Sequence, residues 1–424
     1  MIWNRSAFLF FICLSNCLFT FSNDRIRCST QEIFLRNANE NPNLILQKQQ
    51  ALSFIKQYIE NNKNHRNTDI QAVVTIPVVV HVVYKNSAEN ISDAQIQTQL
   101  DVLNKDFRNL NADKLASTHA FFSLAQDAQI EFCLASIDPN GNTTTGITRT
   151  ATSVNAFTDD DKVKFDSDGG KNAWNAKQYL NIWVCNLGNL ILGYATLPED
   201  LVSNLSIDGV VINYDAFGTI GTAAAPYNKG RTTTHEIGHW LGLEHIWGDD
   251  NDCSGTDHVD DTPNQEVETT TCPAGIVTDA CNPTAPGIMY QNYMDYTDDA
   301  CMVMFTNGQV ERMQAALNLY RTDLFSSSKC SGTTNVSVAQ NSNIKIYPNP
   351  VQNYLAIEGL PKNVDKNFSV ELYNTLGQIM YVSSITAQST LLEMPTLNAG
   401  TYIIRIYNAA FNYTQKLTFV SSVN

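Results

Sequence analysis

Positive charge is scarce in this chain. Of 424 residues only 27 are Lys or Arg, against 42 Asp or Glu, and no basic block occurs anywhere. A chain of net charge −15 has little with which to neutralise phosphates, so nucleic-acid binding by counterion release is excluded. Charge of either sign is also sparse, at 16%, while 43% of the residues are apolar, which excludes wholesale disorder. Beyond the leader no apolar run approaches the ~20 residues a bilayer needs, so no transmembrane segment is expected. Ten cysteines are too few for a small disulfide scaffold in so long a chain, yet enough to point to an oxidising compartment.

The leader agrees with that compartment. Met1 to Arg5 is short and basic, Ser6 to Phe21 is almost wholly apolar, and Thr20-Phe21-Ser22 offers small residues ahead of Asn23. Residues 1–22 therefore read as a secretory signal peptide, and the mature protein as secreted, with retention at the cell surface an open alternative. Residues 23–70 read as a propeptide: Asn43 to Asn62 has apolar side chains at helical spacing, and the polar stretch after it suits cleavage near Lys63 or Arg66. In residues 71–330, Ile76–Tyr84, Ile130–Ile137, Tyr179–Val184 and Val210–Tyr214 are expected strands, and Ser92 caps an expected helix. Residues 331–343 form a Ser/Thr/Gly/Asn/Gln linker, and 344–424 carry short strand runs between turn signals. The fold class is α+β followed by a small all-β sandwich.

The chemistry is concentrated in Thr234–Trp247, THEIGHWLGLEHIW. His235 and His239, four apart on a helix, project from one face, as two imidazoles sharing a tetrahedral zinc require. Glu236 lies beside them, placed to take a proton from the attacking water. Gly242 can end the helix in a left-handed conformation, after which His245 can return as a third ligand. Three neutral histidines leave a coordination position open, the mark of a catalytic rather than a structural zinc. A bare HExxH arises by chance in about one chain in a hundred of this length; with the glycine and third histidine the odds fall to roughly a few in a million.

The extended pattern is that of the metzincin metallopeptidases. Asn292–Tyr296, NYMDY, resembles their methionine turn, with Met294 beneath the histidines and Tyr296 near enough to steady a tetrahedral intermediate. With VDDTPNQ and MFTNGQVERM added, the stretch from Ile76 to Arg321 resembles the pappalysin family, in particular its cytophagalysin and ulilysin branch. The resemblance implies a metzincin-type catalytic domain, a twisted mixed sheet with an active-site helix. It implies zinc on His235, His239 and His245, with Glu236 as general base and acid and Tyr296 as transition-state stabiliser. It further implies disulfides Cys253–Cys281 and Cys272–Cys301. In basic-selective relatives an acidic residue precedes the last of these cysteines; here Ala300 stands there, which puts cleavage before Arg or Lys in doubt.

Of the other cysteines, Cys13 and Cys17 leave with the leader, and Cys133 and Cys185 are candidates to pair. Cys28 is a candidate latency switch: a thiolate could fill the open zinc position, with Arg25 and Arg27 lowering its pKa, unless it pairs with Cys330 or stays idle. Asp250, Asp252, Asp257, Asp260 and Asp261 offer oxygen ligands for calcium, a reading level with that of a solvated acidic loop. The C-terminal IYPNP, NTLGQ and NAGTYIIRI resemble a type IX secretion sorting domain, implying that export machinery as a partner; a generic adhesive sandwich is the alternative. The leading function is a secreted zinc endopeptidase made as a zymogen, binding protein or peptide substrates extended beside an edge strand near Leu192–Leu197. A surface-binding protein with a metzincin-like recognition domain is the second.

Overall fold

The computed structural model describes residues 25–62, 73–198, 204–330, 344–360, 367–374, 379–386, 391–408 and 411–420. The expected signal peptide, the cleavage region near Lys63 and Arg66, and the linker 331–343 lie outside these residues. Two helices come first, α1 (Thr30–Glu40) and α2 (Asn43–Asn62), the second with the bounds its periodicity predicts. Next come β1 (Val74–Tyr84), then α3 (Asp93–Asp106), whose Ser92 side chain accepts from Gln95 N as an N-cap. β2 (Ile130–Leu134), β3 (Ile147–Ala151), β4 (Leu180–Cys185), β5 (Gly193–Ala195) and β6 (Val210–Asn213) complete a mixed sheet.

β1 is the hub of that sheet, because its run of β-branched residues is buried on both faces. β2 and β3 lie parallel along one edge of it and β4 along the other; the order continues through parallel β6 to antiparallel β5. β5 is therefore an edge strand, and it falls within Leu192–Leu197 as expected. α4 (Arg231–Trp240) and α5 (Asn307–Tyr320) pack into the main core with β1, β4, β6 and α3. α5 opens with a capping box, Thr306 and Gln309 each bonding the other's backbone N–H.

The sheet order corrects one expectation. Cys133 on β2 and Cys185 on β4 are separated by β1, two strand spacings of about 4.8 Å apart, too far for a disulfide. Cys133 pairs instead with Cys330, fastening β2 to the end of the domain, and Cys185 is free and buried. Cys330 is thus not a partner for Cys28. Cys253–Cys281 and Cys272–Cys301 are both present.

The C-terminal region is all-β. β7 (Lys345–Tyr347), β8 (Tyr354–Glu358) and β11 (Leu391–Glu393) make one antiparallel sheet; β9 (Asn367–Asn374), β10 (Ile379–Thr386), β12 (Gly400–Asn408) and β13 (Phe411–Phe419) make another. Alternate residues of both sheets share one core, including Val351, Leu355, Val370, Ile404 and Leu417, so this is a sandwich.

Candidate metal centre

Every residue of α4 is buried, so neighbours rather than solvent set the environment of each side chain. The helix stops at Gly242, which has φ +84°; there Gly242 N bonds the His239 carbonyl at 2.8 Å and Leu243 N the Gly238 carbonyl at 3.0 Å. That reversal brings His245 back over the helix. From below, the Asn292–Tyr296 turn approaches so closely that a Cβ on Gly238 would lie 2.5 Å from Met294 Sδ. Glycine at 238 is what admits Met294 beneath the histidines.

The three imidazoles are oriented from behind. His235 Nδ1 bonds the Tyr293 carbonyl at 2.7 Å, His239 Nδ1 the Leu243 carbonyl at 2.9 Å, and His245 Nδ1 the Asp249 carboxylate at 2.5 Å. Each of those acceptors needs a proton on Nδ1, which leaves a lone pair on each Nε2. His239 Nε2 stands 3.2 Å from that of His235 and 3.0 Å from that of His245. Lone pairs at that distance repel unless a cation sits between them; nitrogens bound tetrahedrally at ~2.0–2.1 Å would be roughly 3.3 Å apart. Burial, and then the neighbouring histidines, hold His235 well below its usual pKa and push His239 down to about 3, so both are neutral and ligand-ready. The donor set fits a zinc-type ion.

Cys28 completes the set. Its Sγ and one ligand atom from each histidine all lie within 4.8 Å of one another, and it is 1% exposed. Glu236 Oε2 accepts from Thr30 Oγ1 at 3.1 Å and contacts Cys28 Sγ at 3.4 Å, while Oε1 is buried with no hydrogen bond. Burial pushes the Glu236 carboxyl up to about 8. Tyr296 donates to the Cys28 carbonyl at 3.3 Å, and its ring lies 4.9 Å from that of His245.

Residues 25–30 reach this place along the edge of β5. Leu192 N bonds the Ile26 carbonyl at 2.9 Å, Ser29 N bonds the Gly193 carbonyl at 3.2 Å, and Ile26 pairs with Ile191 in a parallel bridge. Arg27 is buried and bonds Asp299 at 2.8 Å; Arg25 grips Asp215 with two bonds, of 2.8 and 3.0 Å. This corrects the expected part of the two arginines. Both are engaged elsewhere, and burial and the Glu236 carboxylate push the Cys28 thiol up rather than down. The carboxylate that Arg27 meets, Asp299, stands one position before Ala300.

The five loop aspartates are not gathered into a cluster of three or more metal-ready groups among the described residues. Asp261 caps α5 through Gly308 N and Thr306 Oγ1, Asp257 takes the Thr262 hydroxyl, and Asp250 and Asp252 bond Ser254. Asp260 stands apart from these bonds. Sequence reasoning did not single out Thr30, Asp249 or Asp299. Only Asp249 left a trace, four residues after His245.

A family profile described as pregnancy-associated plasma protein-A matches residues 164–318, and one described as a secretion system C-terminal sorting domain matches 345–420. An extracellular metalloprotease of Arthroderma otae is 30% identical over 260 residues, covering 60% of this chain and 82% of the relative. The chain belongs to the pappalysin family of metallopeptidases. Among solved structures it is similar to mature mirolysin of Tannerella forsythia bound to a cleaved peptide, at 56% identity over 61% of this chain and 96% of that one, with TM-score 0.58. A promirolysin mutant from the same organism is 51% identical over 70% and 95% of the two chains, with TM-score 0.62. This pappalysin is an extracellular metalloendopeptidase made as a zymogen, with a secretion sorting domain behind its catalytic domain. The family implies a metal, and the relatives do not favour a purely adhesive role. No helix of the described residues is long and apolar enough to cross a membrane.

Proposed function

We propose that His235, His239 and His245 hold one zinc ion and that the described state is the latent form, with Cys28 as the fourth ligand. The convergence of three Nε2 lone pairs and one thiol on a single buried point carries this reading. Bound there, zinc supplies Lewis acidity to the scissile carbonyl. Glu236, its Oε1 free of hydrogen bonds, takes the proton of the attacking water and passes it to the departing amine. The Tyr296 hydroxyl donates to the oxyanion as charge develops. The pro-segment occupies all three positions at once: Cys28 Sγ at the histidines, Thr30 on Glu236, and the Cys28 carbonyl on Tyr296. Residues 23–70 on this reading are the propeptide, released by a cut after α2, and 344–424 pass the protein to a type IX secretion machinery.

The substrate reading follows from Arg27. A guanidinium 3% exposed, bonded to a carboxylate that also takes Lys229 N and Arg231 N, supports arginine as the side chain this position accommodates. The activated enzyme is proposed to cut extracellular proteins before arginine, with Asp299 at the base of the pocket. The cleaved peptide in the mirolysin complex is consistent with a cleft that takes peptides. Glu236→Gln tests the chemistry: zinc should stay at one ion per chain while kcat drops by more than about a hundredfold. A variant keeping more than a hundredth of the activity would remove Glu236 from the role.

A further inference from the structure

Asp215 lies just after β6, in the turn Tyr214–Ala216, on the flank of the cleft where Arg25 lies. Its backbone is fixed from several sides. Gln95 Nε2 bonds the carbonyls of Tyr214 at 3.3 Å and Phe217 at 2.8 Å, and Ala224 N bonds the Asp215 carbonyl at 2.8 Å. The carboxylate itself serves nothing within the catalytic domain: among the described residues both of its oxygens are taken by Arg25 alone. Once the pro-segment leaves, a rigidly mounted, two-oxygen acceptor is left 25% exposed or more beside the edge strand. Its fork geometry suits a guanidinium and also accepts an ammonium.

The spacing ties it to the substrate. Arg25 and Arg27 are two residues apart on a segment that runs beside β5 with Cys28 at the metal centre. That segment runs parallel to β5; a peptide added in the commoner antiparallel sense passes the same points in reverse chain order. Its first residue after the scissile bond then meets Asp299, and its third meets Asp215. We propose that Asp215 is a second subsite for a basic side chain of the substrate, so that the activated enzyme selects peptides carrying Arg-x-Arg or Arg-x-Lys directly after the cleaved bond. This rests on the reading of Asp299 as the pocket for the first of those residues.

The test uses full chain activated by removal of the pro-segment and peptides that differ only at the third position after the scissile bond. Arginine there should raise kcat/KM about fivefold over alanine, as suits a partly exposed charge pair. The gain should appear mainly in KM, because the subsite is remote from the reacting atoms, and should shrink at high salt. In Asp215→Asn the arginine-to-alanine ratio should fall to about one. A second peptide pair, varied at the first position, reports Asp299 separately: its preference should survive Asp215→Asn and disappear in Asp299→Asn. Equal rates for arginine and alanine at the third position in the wild type, with the first-position preference intact, would overturn the proposal and leave Asp215 a latch for the pro-segment only. Loss of the first-position preference alone would instead remove the Asp299 reading.

Discussion

Cys28 is the residue on which latency is proposed to turn, and its neighbours sharpen what that means. Its thiol is buried and pushed up by burial and by Glu236, so without a metal it has every reason to stay protonated. Only a cation at the histidines makes the thiolate favourable there, which couples latency to metal loading. Cys28→Ala should therefore raise basal hydrolysis of the uncleaved chain at least tenfold, measured on a quenched peptide in the cold to suppress autolysis. Unchanged latency would leave the cover provided by Arg27, Thr30 and the helices as the whole explanation. The histidines were legible in the sequence because four residues make about one helical turn, so the letters alone put two of them on one face. Asp299 was not, because its partner comes from 272 residues away and the loop before Cys301 has no periodicity to read.

Among elements, those with strong patterns were read well and those without were missed. α2, α3, β1, β2, β4 and β6 follow apolar periodicity or β-branched runs, and their observed bounds fall within a few residues of expectation. α1 escaped notice because only Thr30, Phe34 and Ala38 of its eleven residues are buried, too faint a stripe to stand out. β3 is half exposed along its length and carries no alternation. The Cys133–Cys330 bridge was hidden for a different reason. Its halves lie 197 residues apart, and pairing depends on strand order, which a list of strands does not supply. α1 and α2 also show how the proposed pro-segment is held beyond the cleft: Phe34 and Ala38 pack on Leu197, α2 lies on α5, and Lys48 pairs with Glu244 at 2.8 Å. Ala51 and Ile55, the buried residues of α2, anchor it there.

At the scale of the whole molecule, the proposed division into leader, plug, catalytic domain and sorting sandwich gives each part a stage of export or activation. The two folded parts have separate cores, one built on β1 and α4 and the other on the C-terminal sheets. Deleting 344–424 should accordingly leave a folded catalytic domain that binds zinc but is not released by the native host; normal secretion of the truncated protein would set the sorting role aside. The central claim, a zinc peptidase stoppered by its own cysteine, has a more direct test in X-ray absorption at the zinc edge of the full chain before and after activation. The latent form should show three nitrogen scatterers and one sulfur at about 2.3 Å, and activation should remove the sulfur while keeping the three nitrogens. A latent spectrum without sulfur, or one with sulfur retained in the active enzyme, would contradict the account.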